Sequence, residues 1–172
     1  MKISDLGNIT SVCFTGHREL STAEESFITN QLTAVLTALI TRHGLVECYA
    51  GGAIGLDTVA AKVVLSLKNA YPHLKLNLIL PCSGQENSWN ETQKAVYREI
   101  KDKADGVRIL APFYYNGCMQ ARNRALLEES DLCIAYLRAG TSGGGSLNTV
   151  LQATKLRVPV LNLADKESEN IE

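Results

Sequence analysis

Glycine-rich turns beside arginine and histidine are the features of this chain best suited to chemistry, and the chemistry they suit is the holding of an anion. Gly143-Gly144-Gly145 leads into Ser146, with Thr141 just before it. Where such a run begins a helix, bare backbone permits close approach, and free amides at the positive end of the helix dipole favour phosphate. Gly51, Gly52 and Gly55 ahead of Asp57 allow the same reading, or the plainer one of a tight strand-to-helix turn. Arg18, Arg122 and Arg124 carry guanidinium forks that match phosphate oxygens, with Asn116 and Asn123 in the same segment as the latter two. Arg122 and Arg124, two residues apart, cannot share a helix face, so one of them is expected at the ligand and Arg122 is favoured. Asp57 is either a helix-end partner or an acceptor for a ribose hydroxyl. His17, after Gly16, is a donor to phosphate, an acid–base group, or neither.

The elements that must position these residues follow from periodicity. Apolar runs predict six strands, over 11–14, 45–50, 76–80, 107–111, 132–137 and 158–163. Between them, apolar residues recur at three- and four-residue spacing. Phe27, Ile28, Leu32, Val35, Leu36, Leu39 and Ile40 form one stripe, begun by Ser21 with Glu24 and ended by Gly44. Further helices are expected over 57–68, through Ala95, Val96 and Ile100, over 116–129 and over 146–156. Continuous apolar strands alternating with helices indicate an α/β fold, a Rossmann-like three-layer domain with a mainly parallel six-stranded sheet and helices on both faces.

In such a sheet the ligand crevice lies beyond the carboxyl ends of the strands, where strand order reverses. The unusual residues all follow carboxyl ends. A strand order of 3-2-1-4-5-6 would bring their four loops into one groove, with strand three at an edge. The loop 82–90, which holds the single Trp89, would then be a flap or a subunit contact.

Composition narrows the rest. The 172 residues suit one domain, with a core over about 11–163 and an acidic tail at 165–172. Lys plus Arg total 17 against 18 acids, for a net charge of −1, so no global cationic field holds nucleic acid and an anion must be bound locally. The uncharged run 26–41 falls short of the ~20 apolar residues that span a bilayer. No apolar leader follows Met1, and a cytoplasmic location is expected. Five cysteines without a C-x-x-C pair, and 3 scattered histidines, supply neither a disulfide framework nor a metal site. The cysteines are expected to be reduced, buried thiols. There is no G-x-x-x-x-G-K-[ST], no G-x-G-x-x-G after the first strand and no G-x-S-x-G, which argues against nucleotide hydrolysis, dinucleotide redox chemistry and a serine elbow.

At these residues the chain resembles the SLOG superfamily, which joins DprA (Smf) DNA-processing proteins, LOG phosphoribohydrolases and YpsA-like proteins. Ala50-Gly51-Gly52-Ala53-Ile54-Gly55-Leu56-Asp57 is similar to the DprA signature, Arg122-Asn123-Arg124 to its R-N-R, and Gly145-Ser146-Leu147-Asn148-Thr149 to its G-[ST]-L-x-T. Thr15-Gly16-His17-Arg18, with Tyr114-Tyr115-Asn116, looks more like the YpsA-like branch. The LOG enzymes carry P-G-G-x-G-T-x-x-E, whose Glu serves N-glycosidic cleavage, and Thr149 stands at that position here. The resemblance therefore implies a sensor or carrier of a nucleotide or nucleotide-derived phosphate, with no obligatory cofactor and with Thr149 supplying a hydroxyl. The alternatives are a nucleoside 5′-monophosphate phosphoribohydrolase and a DprA-like protein binding single-stranded DNA. A homodimer is expected, and a membrane partner is not.

Overall fold

The computed structural model describes residues 3–165. The expected tail lies almost wholly outside them. Six strands, β1 (Ser11–Gly16), β2 (Glu47–Ala50), β3 (Lys75–Leu80), β4 (Gly106–Ile109), β5 (Leu132–Tyr136) and β6 (Val160–Asn162), form one all-parallel sheet. Five helices connect them: α1 (Thr22–His43), α2 (Leu56–Leu67), α3 (Glu91–Lys103), α4 (Cys118–Glu128) and α5 (Gly145–Leu156). The result is the Rossmann-like three-layer α/β fold.

Strand pairing divides the helices. α2 packs on both α1 and α3, and α4 packs on α5. β1 feeds both layers because its side chains alternate: Val12 and Phe14 join the larger hydrophobic cluster with α1 and α2, while Cys13 joins the smaller one with Leu126, Leu127 and Ala153. α1 starts at a reciprocal capping box between Ser21 and Glu24 and stops at Gly44, whose φ of 83° is left-handed. All five cysteines are free and buried. Among the described residues no helix is long and apolar enough to cross a membrane.

The strand order is β4-β3-β2-β1-β5-β6, which corrects the order expected from the sequence. β3 is interior, β4 is the edge, and the reversal falls between β1 and β5. Hydrophobicity explains the exchange. β5, Leu-Cys-Ile-Ala-Tyr, is buried at every position, whereas β4, Gly-Val-Arg-Ile, leaves Val107 and Ile109 each 42% exposed. An Arg-bearing strand costs least at an edge, and Arg108 pairs there with Glu129 at 2.9 Å. The loop after β3 is correspondingly packed down. Its Gln85 amide lies 3.3 Å from the Gly52 carbonyl, and Trp89 meets Tyr97 edge-on at 5.4 Å between ring centroids.

Candidate functional site

The switch point sets the site. β1 and β5 pair through Gly16 and Tyr136, and their outgoing loops diverge around a cavity of about 240 Å³. Its walls come from four places. Thr15 to Arg18 leave β1; Ala53, Ile54 and Asp57 lead into α2; Met119, Arg122 and Asn123 belong to α4; Gly143 to Ser146 open α5. α4 reaches the cavity although β4 is the far edge strand, because it returns across the opposite face to pack on α5.

The helix starts here differ from those elsewhere. α1 and α3 begin with full capping boxes, Ser21 with Glu24 and Asn90 with Gln93. α2, α4 and α5 begin at Gly55, Gly117 and Gly144, none with a side-chain cap hydrogen bond. At α2 and α4 a backbone carbonyl takes the first amide, Leu56 N donating to that of His17 and Cys118 N to that of Tyr115, each at 3.1 Å, so the start of α5 is the open one. Open amides at the positive end of a helix dipole favour an external, negative acceptor. Ser146 anchors the α5 loop by donating to the Gly16 carbonyl at 2.6 Å.

Gly51 and Gly52 serve a different purpose from the α5 glycines. Arg122 Nη1 donates to the Gly51 carbonyl at 2.6 Å, and a Cβ on Gly51 would collide with that guanidinium. Gly52 takes φ 68° and lies against Leu80 and Gln85. Neither lines the cavity; both let neighbours close in on the turn. A Cβ at Gly143, Gly144 or Gly145 would meet nothing within 4 Å. These are bare because they face open space.

Arg122 and Asp57 form a buried pair, 7% and 10% exposed at the side chain, with Nη1 3.7 Å from Oδ2. Asp57 Oδ2 also accepts from the Ala53 amide at 3.1 Å, and Arg122 Nε donates to Asn123 Oδ1 at 2.8 Å. Burial pushes the Asp57 carboxyl above its usual range, against the opposing pull of Arg122, the Ala53 amide and Arg18. Burial likewise pulls Arg122 down, although a guanidinium stays charged. Through Nε and Nη1, Arg122 thus holds the walls together, and it lines the cavity as well. The exposed cation at the mouth is Arg18, whose Nη2 lies 4.0 Å from Met119 Sδ.

The remaining residues singled out by the sequence lie apart. Thr149 is 2% exposed and donates to the Gly145 carbonyl at 2.9 Å. Arg124 pairs with Glu128 at 2.7 Å, Thr141 donates to the Arg138 carbonyl, and Asn116 is exposed outside the cavity.

Arg138 has no role in the sequence-based expectations and Glu24 has only that of a helix start, yet the two brace the loop after β5. Arg138 Nε donates to Glu24 Oε1 at 2.6 Å, and Tyr136 OH donates to the same oxygen at 3.1 Å. The only signal was a charge beyond the end of a buried strand. These bonds hold the Glu24 carboxyl well below the ordinary carboxylate range.

The same loop uses His17, whose Nε2 accepts the Arg138 amide at 3.1 Å. Acceptance requires the unprotonated nitrogen, so the neutral ring carries its proton on Nδ1. Burial, followed by the Arg138 charge, lowers the His17 pKa from its ordinary 6.5. Because the unfolded chain takes up this proton first, the stability His17 contributes is full above pH ~6.5 and is lost as pH falls through the lower folded value. Melting temperature is therefore expected to decline from pH 7 to 5 with a slope that His17→Gln reduces. An unchanged slope in that variant would remove His17 as the titrating group.

Known proteins share the fold and parts of the sequence. DNA processing protein A from Helicobacter pylori, whose structure was described for its single-stranded DNA binding mode, superposes with a TM-score of 0.60 at 22% identity, covering 88% of this chain and 63% of its own. The structural-genomics target TM1055 gives 0.56 at 15% identity, covering 93% and 81%. At these identities the likeness is one of fold. A UPF0398 protein of Brevibacillus brevis is 39% identical over 106 residues, 60% of this chain and 56% of its own length. The uncharacterized prophage-derived protein YoqJ of Bacillus subtilis is 29% identical over 126 residues, 66% and 74%. The matched segments thus span little more than half of the UPF0398 relative. The YspA SLOG family model matches residues 12–155, from the first strand of the sheet to the last helix, and the chain belongs to that family.

Proposed function

We propose that this protein binds a nucleotide or nucleotide-derived phosphate in the cavity at the β1–β5 switch point and acts as a sensor or carrier of it. The observation that carries this reading is the open start of α5, whose glycine loop lines a cavity that the starts of α2 and α4 also reach, with Arg18 at its mouth. Phosphate lies against the amides of Gly145 and Ser146 and the Arg18 guanidinium, and the His17 Nδ1 proton is a further donor. Gly16, Gly55, Asp57 and Asn123 shape the sugar side, while Arg122 keeps Gly51 and Asp57 in place.

Asp57 gives a second reading its foothold. It is a carboxyl in the cavity wall whose proton affinity is raised by burial, the property a glycosidic acid requires. The nucleoside-monophosphate glycosidase and the single-stranded DNA binder are therefore tested beside the first reading.

The experiment is a thermal-shift screen against nucleoside mono-, di- and triphosphates, cyclic nucleotides and short single-stranded DNA, with release of free base followed in the same wells. A ligand at 100 times its Kd adds about 2.7 kcal/mol of apparent stability. A shift without base release is expected. Free base that disappears in Asp57→Asn transfers the protein to the glycosidase reading, a shift with DNA alone transfers it to the DNA reading, and silence throughout overturns all three. A homodimer belongs to the same proposal, and sedimentation equilibrium decides it.

A further inference from the structure

The phosphate cavity is small for what it is asked to hold. At about 240 Å³ it lies below the range of roughly 300–1,000 Å³ typical of small-molecule sites, enough for a phosphate and part of a sugar. A groove of about 740 Å³ adjoins it on the side of α1, α2 and the start of α3. Arg18 and Ile54 line both. Gly55, on the groove side of that boundary, packs at φ 79° against the backbone of His17 and Arg18, where a Cβ would collide, and so adds no side chain to the divide. One molecule can therefore cross from cavity to groove beneath a single guanidinium.

The groove's lining narrows what enters it. Val59, Val63 and Val96 give apolar surface against which a flat ring packs. Hydroxyls of Thr29, Thr33 and Thr58 edge that surface, and each already donates its proton to a backbone carbonyl, at 2.7, 2.7 and 3.0 Å. They are left as acceptors, suited to ribose hydroxyls and amino groups. Glu19 and Glu25 offset the charge of Lys62, so the groove does not favour a second free phosphate and has no cationic track for a polynucleotide.

Taking the phosphate site proposed above as given, we infer that the ligand is bipartite: two nucleosides bridged by phosphate, with the bridge under Arg18 and the second nucleoside in the α1–α2 groove.

The probes are 5′-AMP and diadenosine diphosphate, repeated with the guanosine pair, with affinities measured by calorimetry on the full chain. In the base series that binds, the two-nucleoside probe is expected to bind about tenfold tighter or better than the monophosphate, since it adds buried contact without a second association cost. Thr33→Trp fills the groove from an exposed position on α1. It is expected to erase that advantage and leave the monophosphate's affinity unchanged. Thr29→Trp, exposed one turn earlier, repeats the test if the first variant fails to fold. Equal binding of the two probes, or an advantage that survives both substitutions, overturns the inference and leaves the phosphate site standing. Failure of every probe to bind overturns both.

Discussion

Arg122→Met is expected to lose about 3–5 kcal/mol of stability, because it leaves the Asp57 carboxylate buried without its charge partner. For a domain of this size that is on the order of 10 °C in melting temperature. The pair does not earn its place through attraction alone, since burial works against both charges. Its value lies in consequence: Arg122 also donates to the Gly51 carbonyl and to Asn123, so one side chain ties the β2–α2 turn to α4. Asp57→Asn removes the stranded charge while keeping an oxygen for the Ala53 amide. Combined with Arg122→Met it is expected to recover about half of the loss, a coupling that urea unfolding of the two single variants and the double variant measures directly. Strictly additive losses would mean that Arg122 stabilises through packing and its carbonyl bond, and that the charge pair contributes nothing.

The second large effect is on binding. Gly144 has φ 102° and ψ 170°, a conformation that side-chain-bearing residues rarely adopt, and it immediately precedes the first turn of α5. Gly144→Asp has room, because nothing lies within 4 Å of its Cβ, so the strain of about 1–3 kcal/mol is confined to the loop. The fold is expected to survive and the ligand site is not. The variant turns the Gly145 and Ser146 amides away from the phosphate and places a carboxylate beside it. Loss of two charge-assisted hydrogen bonds at ~1.5 kcal/mol each is about 3 kcal/mol, or roughly a hundredfold in Kd. Gly143→Ala, in the same open space but without a left-handed φ, is expected to stay within a few-fold of the parent. Undiminished affinity in folded Gly144→Asp would remove the α5 loop from the site.

The other conformational demand at the site, on Gly55, is of a different kind. There the obstacle is the backbone of His17 and Arg18 rather than an absent ligand, and Leu56 N donates back to the His17 carbonyl at 3.1 Å. The turn before α2 and the turn after β1 are therefore one packed unit, and the floor of the cavity is rigid where its α5 wall is open.

How much of this was legible in the chain depends on the range of the physics involved. Helix α1 was, from Ser21 and Glu24 at one end to Gly44 at the other, because capping and a 3.6-residue stripe are local. So was the placing of Gly16, Arg18 and Gly143 to Ser146 at strand carboxyl ends, since alternating strands and helices impose it. The buried cysteines followed from their spacing and from the absence of any partner motif. Even the edge position of β4 was present in Gly-Val-Arg-Ile beside the fully apolar Leu-Cys-Ile-Ala-Tyr of β5, although the sequence reading placed β4 next to β1.

Tertiary structure alone decided what depends on pairs far apart in sequence. Arg122 and Gly51 are 71 residues apart, and Arg138 and Glu24 are 114. No periodicity within a segment encodes such a meeting. It arises when β5 returns beside β1 and α4 crosses the opposite face of the sheet, and burial then fixes each partner's chemistry. A guanidinium two positions from another looks equivalent in sequence, yet Arg122 is walled in against Asp57 while Arg124 pairs with Glu128 at the surface. Thr149, at a position where resemblance implies chemistry, spends its hydroxyl on its own helix. Residue type and spacing set which groups could bind an anion; only the packing of the two helical layers against the sheet decided which remain free to do so.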